Sequence, residues 1–469
     1  MNNKLVSGLL FLIILILIFS VNTESLKAES ISLEKAIEIG LDNNAKIEDV
    51  KNNLVQIKRN FEGVKAQKDW KIDLSAGYTH IFEEEDNLAL ENKSDSSINQ
   101  DSISITANKL YDFGLSFNPT LTVTEDDETI DFSLTQQLYP ITNSELENQL
   151  YNLENNLIKT EQELKDIKES KVITWIQSYL NIVRMEERKT IYSESVKKAE
   201  DNLAKVKKEK EIGEAGEQQL LTVKYSLEDA KYRLKEQRYN IDERKNSFKN
   251  ELGLNSETNI IFKADNELIA NLKEKTNELT TEYLNSEGLL KLVEKNNSSL
   301  QANKIDRKIL ERELKNLKKE DDLKVRISGD YDTLSENLTA TINLSYNLYD
   351  GGKHEIDVES KKDSLENNIN NYEDKLKELK LELENHLNTL SLDKDKLAKE
   401  ELNYQKSKND LDISQIKYDR GTIDYLEYQD TWIKTREAGI NLKSVKDTIF
   451  INKLKFINFV RSGNIIGGF

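Results

Sequence analysis

The side chains most often recruited for chemistry are few or scattered. His80, His354 and His386 are the only histidines. They lie far apart in the chain, and none has the HxH or HxxxH spacing that aims two imidazoles at one ion. They read as ordinary surface histidines. Cysteine is absent, which removes thiolate nucleophiles and metal sites, a disulfide framework and an acylated N-terminal cysteine. No glycine-rich phosphate loop occurs, so an energy source would have to come from another protein. The 85 Asp and Glu residues read mostly as solvated faces or i,i+4 partners of Lys. This inventory is not that of an enzyme, and it calls for no cofactor or metal. What remains is charge displayed on surfaces, and the elements that display it carry the information.

Those elements are elongated. Of 469 residues, 32% are charged and only 37% hydrophobic, so the chain can bury stripes but not one large spherical core. The net charge of -18 argues against nucleic acid as a partner, because phosphate binding needs a basic footprint. At the N-terminus, Lys4 precedes an unbroken apolar run from Leu9 to Phe19 and then polar residues up to Ala28. That is the layout of a secretory signal peptide over 1–28, the run being too short to span a bilayer. An uncleaved anchor is the alternative reading. No other long apolar run occurs.

The chain also reads as written twice. Shifted by 253, Asn43 and Asn44 fall on Asn296 and Asn297, and Ile57, Phe61 and Val64 fall on Leu310, Leu314 and Leu317. In both copies this helical stripe gives way to alternation at the same place. Ile72, Leu74, Ala76 and Tyr78 alternate with polar residues, as do Val325, Ile327, Gly329 and Tyr331. Partner strands come next, one holding Ile130, Phe132 and Leu134, the other Ile342, Leu344, Tyr346 and Leu348. Taken alone, such alternation fits either a soluble sandwich or a wall facing lipid.

After each strand pair comes a block without Gly or Pro, 141–212 and 353–420, long enough for a helix of about 100 Å. Ser144 and Glu147 have the spacing of a capping box. Narrow apolar stripes, Leu150 to Ile167 and Leu365 to Leu390, suit helix-on-helix seams. Each block stops at glycine, at Gly213 and Gly216 or at Gly421, and a second helix then returns as a hairpin to about Leu252 or Val460. The organisation expected is a signal peptide at 1–28 and a first repeat at 29–254, with strands near 72–82 and 129–139 and a tip at 213–216. An irregular connector at 255–283 leads to a second repeat at 284–469, with strands near 323–334 and 338–349 and a tip at 421.

This order of parts resembles the TolC family of outer-membrane efflux proteins. ISLEKAIEIGLDNNAKI is similar to that family's opening helix, LSYNLYDGGKHEI to its strand-to-helix junction and YDRGTIDYLEYQDT to its second hairpin tip. The resemblance implies an α+β membrane protein: long α-helical hairpins forming a coiled-coil tunnel, plus a β-barrel completed by trimerisation, with four strands from each copy. It implies a passive exit duct of a tripartite efflux or type I secretion system, set in outer-membrane lipid and reaching into the periplasm, with an inner-membrane pump and a periplasmic adaptor as partners. The excursion from about Phe82 to Thr129 departs from the family pattern. Its LYDFG at 110–114 mimics the junction but precedes the strand-like FGLSFNPTLTVT, so it reads as a decoy in an enlarged outer loop or extra hairpin. A secreted coiled-coil spacer of the cell envelope is the alternative.

The resemblance also nominates residues. The strand-to-helix junctions are Tyr139 and Pro140 in one copy and Tyr349, Asp350, Gly351 and Gly352 in the other. Gly213, Gly216 and Gly421 mark hairpin tips where an adaptor would dock. At the periplasmic entrance, Glu427 and Asp430 match acidic family positions; being three apart they share a helix face, and a threefold axis would gather six carboxylates into a cation-favouring ring. As ordinary surface acids they would be two of many. Tyr418 matches a tyrosine that helps hold the entrance closed. Ile423 stands where the family has arginine, and Gln219 where it has the partner aspartate, so the closing links here differ.

Overall fold

The computed structural model describes residues 30–81, 98–111, 114–124, 127–142, 144–284, 288–320 and 322–461. The signal-peptide segment lies outside the described residues. The chain divides into two compact units, one made of residues 50–163 and 297–379 and the other of the remainder.

Helices α1 (Leu33–Asn43) and α2 (Ala45–Ala66) meet at Asn44, and α6 (Leu289–Asn296) and α7 (Ser298–Leu317) meet at Asn297. Both asparagines have φ -69° and ψ 120°, extended values that interrupt a helix. Each side chain caps the second helix of its pair: Asn44 Oδ1 accepts from the Ile47 amide at 3.3 Å and Asn297 Oδ1 from the Leu300 amide at 2.9 Å. Asn44 Nδ2 also donates to the Glu251 carbonyl at 2.7 Å, while Asn296 Nδ2 donates to the Val460 carbonyl at 3.0 Å.

The unit of residues 50–163 and 297–379 carries the sheet. Strands β2 (Lys71–Ile81), β3 (Ile98–Leu110), β4 (Leu115–Thr124), β5 (Glu128–Tyr139), β7 (Lys324–Asp332) and β8 (Asn337–Ser345) form one antiparallel sheet in that order. Six strands stand where four are expected, because the excursion folds as the hairpin β3–β4 and inserts between β2 and β5. In LYDFG, Leu110 ends β3 and Tyr111 and Gly114 stand at the end of that hairpin. Gly114 has φ 84°, and the Tyr111 amide donates to the Leu115 carbonyl at 2.9 Å. Leu115, Phe117, Leu121 and Val123 then alternate as a strand, whereas helix formers come after the look-alike LYDGG. β8 stops at Ser345, the last residue paired with β7 among the described residues, short of the expected 349.

The long helices form hairpins whose turns lie in the other unit, although the first of each pair begins in the sheet-bearing unit. Helix α3 (Glu145–Glu211) turns into α4 (Glu217–Glu251), and α8 (Lys353–Asp419) into α9 (Tyr425–Arg461). The α3–α4 seam holds Ala199, Val206, Leu220, Val223, Leu227 and Ala230. The 255–283 connector is not irregular as expected. It contains α5 (Glu267–Leu284), which buries Ile269, Leu272, Thr276, Thr280 and Tyr283, a stripe at 3 and 4 spacing masked by its two threonines. A two-residue β6 (Asn259–Ile260) lies parallel to β1 (Ser30–Ile31). Trp175, Tyr179, Phe248, Leu252, Leu33 and Ile37 are among the largest fully buried side chains of the described residues. Tyr179 Oη accepts from the Lys263 amide at 2.9 Å and its ring stacks on Phe262.

Candidate functional site

The sheet is the first candidate surface. Its register aligns apolar residues on one face across all six strands. Ile72, Ala107, Pro119, Phe132, Tyr331 and Leu338 form one row; Leu74, Ile105, Leu121 and Ile130 form another. That face is uncovered: Leu74 is 71% exposed, Ile342 65% and Leu344 66%. Aromatic rings mark it, Trp70 against Phe117, Phe117 against Phe132 and Phe132 against Tyr331 at centroid separations of 6.0–6.4 Å. The opposite face is mainly polar, with Leu110 at the end of β3 an exception. Asp73, Thr106, Thr120, Asp131 and Asp332 make one of its rows, so a residue near the start of β2 is level with the last residue of β7. Strands that climb past one another in this way have the stagger of a barrel wall. Among the described residues β2 and β8 are the edge strands of this sheet, each paired with a neighbouring strand on one side.

At the junctions two different caps start the long helices. Ser144 and Glu147 exchange amide-to-side-chain bonds at 2.9 and 3.1 Å, a capping box. Tyr139 Oη donates to Asp322 at 3.4 Å and Gln137 Nε2 to the Pro140 carbonyl at 3.0 Å. At the other junction Asp350 accepts from the His354 amide at 2.6 Å and the Gly352 amide at 2.8 Å. The His354 N–H is the main reason the Asp350 carboxyl is held below the usual carboxylate range. Gly351 and Gly352, at φ 75° and 83°, take the left-handed turn that side chains resist. Tyr349 is exposed.

The hairpin tips close locally. Gly213 and Gly421 have φ 82° and 72°, which explains glycine there. Gly216 does not need positive φ; it stands at the N-cap of α4 with no side chain to cap it. Asp424 Oδ1 accepts from the Glu427 amide at 2.8 Å and starts α9. Tyr418 stacks on Tyr428 at 5.1 Å and meets Tyr425 edge-on at 6.1 Å. A hollow holds Tyr418, Asp424 and Tyr425 together with Gly216 and Gln219 of the first hairpin. Among the described residues the buried Tyr425 hydroxyl has no hydrogen-bond partner, and burial, followed by the charges of Tyr418, Asp201 and Tyr428, pushes its pKa up. Glu427 lies on a different groove, with Asp410, Lys417 and Lys434. Asp430 is exposed and paired with Lys434 at 2.5 Å. The structure thus brings Tyr418 and Gln219 together and sets the two acids apart from them.

One set of residues escaped the sequence reading. A polar seam joins α3 to α9: Arg184 to Asp447 at 2.7 Å, Tyr192 to Glu437 at 2.8 Å, Glu194 to Arg436 at 2.9 Å and Gln429 Nε2 to Ser195 Oγ at 2.8 Å. Asp447 also meets Lys273 of α5 at 3.1 Å. Spacings of 3 and 4 along Arg184, Arg188, Tyr192 and Ser195 were the available signal, hidden because those side chains are polar.

Residues 290–448 match a sequence model of a family described as outer membrane efflux protein. No curated protein sequence matches the chain. Among solved structures, the chain is similar to the outer membrane channel CmeC of Campylobacter jejuni, at 13% identity and TM-score 0.66 over 92% of this chain and 86% of that one. It is similar to the outer membrane protein VceC of Vibrio cholerae, at 13% identity and TM-score 0.63 over 92% and 96%. CusC, whose crystal structures are described in terms of transmembrane channel formation, matches at 11% identity and TM-score 0.65 over 91% of each chain. The resemblance to outer-membrane efflux proteins read from the sequence is therefore shown, and the fold, long helices with a β-sheet, is that of these channels.

Proposed function

Taking that resemblance and fold as the premise, we propose that three copies of this chain assemble into a passive exit duct of an outer membrane, its helical hairpins reaching into the periplasm. It catalyses nothing; an inner-membrane pump and a periplasmic adaptor supply the drive, the adaptor docking at the tips around Gly213, Gly216 and Gly421. The observation that carries this reading is the sheet: one face mainly apolar, with exposed apolar residues on β2, β3, β5, β7 and β8, the other face mainly polar, and β2 and β8 its edge strands among the described residues. In lipid an open edge leaves backbone groups without partners, so only a closed ring of strands is stable there. Strand directions alternate across the sheet, so the β8 of one copy meets the β2 of the next antiparallel and closure keeps the alternation. The matching caps at Asn44 and Asn297 support the two-repeat reading. Glu427 is proposed as the main acid of the entrance, with Asp430 offset by Lys434, and Tyr418 as part of its closure.

The purified protein should need detergent, run as a trimer and give conductance in planar bilayers. A monomer that washes from membranes with salt, and conducts nothing, would restore the envelope-spacer reading. Against that reading stands the uncovered apolar face, which a soluble sandwich would bury against a second layer.

A further inference from the structure

The β3–β4 hairpin carries the furthest inference. It is not an appendage. β3 pairs with β2 over eleven residues, from Lys71↔Asn108 to Ile81↔Ile98, and β4 pairs with β5 over nine, from Leu115↔Gln136 to Val123↔Glu128. Its two faces continue those of its neighbours row by row. Ile103, Ile105, Leu121 and Val123 fall on the apolar face, while Ser104, Thr106, Thr120 and Thr122 fall on the polar one. On that polar face Ser104 and Thr122 hydroxyls meet at 3.1 Å and Thr120 donates to Thr106 at 3.3 Å. A hairpin adds one strand in each direction, so it preserves the alternation that closure requires.

We propose that this hairpin is a built-in part of the barrel wall, so that three copies close eighteen strands, three times six, and not the twelve that four strands each would give. Barrel diameter grows roughly in proportion to strand number, so the outer exit is about half as wide again. The inserted lining is hydroxyl-bearing and uncharged in those rows, unlike Asp73 and Asp131 on the flanking strands β2 and β5. The widened exit therefore takes bulky, hydrated solutes and adds no charge selection of its own. This inference rests on the trimeric duct reading, but the order of strands within one copy does not.

Because the chain has no cysteine, paired cysteines test the wall cleanly. Leu74 is level with Ile105, and Ile130 with Leu121. Leu74 and Ile130 lie three strand spacings apart, about 14 Å, beyond disulfide reach. In the detergent-purified full chain, L74C/I105C and L121C/I130C should cross-link and L74C/I130C should not. Cross-linking of L74C/I130C, meaning that β2 pairs directly with β5 and the hairpin lies outside, overturns the proposal. A cryo-EM cross-section should show eighteen wall strands; a closed wall of twelve overturns the proposal while sparing the duct, and particles with no closed wall sink both. Neutral polymers added from the outer side should enter the native channel at radii that a variant lacking residues 81–125 excludes, with a cut-off lower by about one third. An unchanged cut-off in a variant that still assembles counts against a wider bore.

Discussion

Lys198 Nζ lies 3.9 Å from the ring centroid of Trp432 and 5.6 Å from that of Tyr428. An ammonium from α3 is thereby clamped on two aromatic rings of α9, next to the tip that Tyr418 and Tyr425 complete. Burial holds the Lys198 pKa below the usual lysine value, so part of its hydration has been exchanged for the ring faces. In a double-mutant cycle of Lys198→Met and Trp432→Leu, chemical denaturation in detergent should give a coupling of about 1 kcal/mol. Additive effects would mean that the contact carries no energy.

Entrance charge should track the pairing. Lys434 offsets Asp430, whereas no ion pair of comparable length engages Glu427 among the described residues. Glu427→Gln should therefore lower cation preference, read as reversal potential in a salt gradient, more than Asp430→Asn does. Lys434→Gln should raise it. Equal effects of the two acid substitutions would argue that the Asp430–Lys434 pair does not persist in the assembled channel.

Alkaline pH should loosen the α3–α9 seam. Burial, and then the hydrogen bond to Glu437 and its charge, push the Tyr192 pKa from 10.0 up to about 12. The folded state thus holds the phenol proton more tightly than the unfolded chain. That stabilisation is fully present below pH 10 and is lost as pH rises toward 12. Thermal melting measured from pH 9 to 12 should show this loss, and Tyr192→Phe should flatten it while costing about 1 kcal/mol at neutral pH.

Close packing at Gly40 should make it intolerant of a side chain. A Cβ there would sit 2.5 Å from Leu252 Cδ2 and 3.0 Å from the Trp175 ring. Gly40→Ala should destabilise by about 1–3 kcal/mol as the core shifts. Gly63→Ala, with nothing near its Cβ position, should be neutral or slightly stabilising through helix propensity. Melting temperatures of the two variants make the comparison.

Some features were legible because their causes are local. The blocks without Gly or Pro around Leu150 and Leu365 became α3 and α8; the Ser144–Glu147 spacing became a capping box; Gly213 and Gly421 took the left-handed turns that end a helix. Each depends on residues within a turn or two of one another. Connector helix α5 was hidden because Thr276 and Thr280 occupy buried positions that helical periodicity reserves for apolar residues, their hydroxyls turned back to the carbonyls of Leu272 and Thr276.

The rest required partners distant in sequence. LYDFG and LYDGG share four of five letters, yet a strand follows one and a helix the other, since the residues C-terminal to each decide where the chain pairs. Gln429 finds Ser195, and Glu437 finds Tyr192, across more than two hundred residues. Alone, the sequence determined period, caps and breaks, because hydrogen bonding and sterics within a few residues set them. Only the tertiary structure decided that β3 and β4 enter the sheet between β2 and β5, because strand order depends on which edges meet and which faces match, and no single segment encodes that.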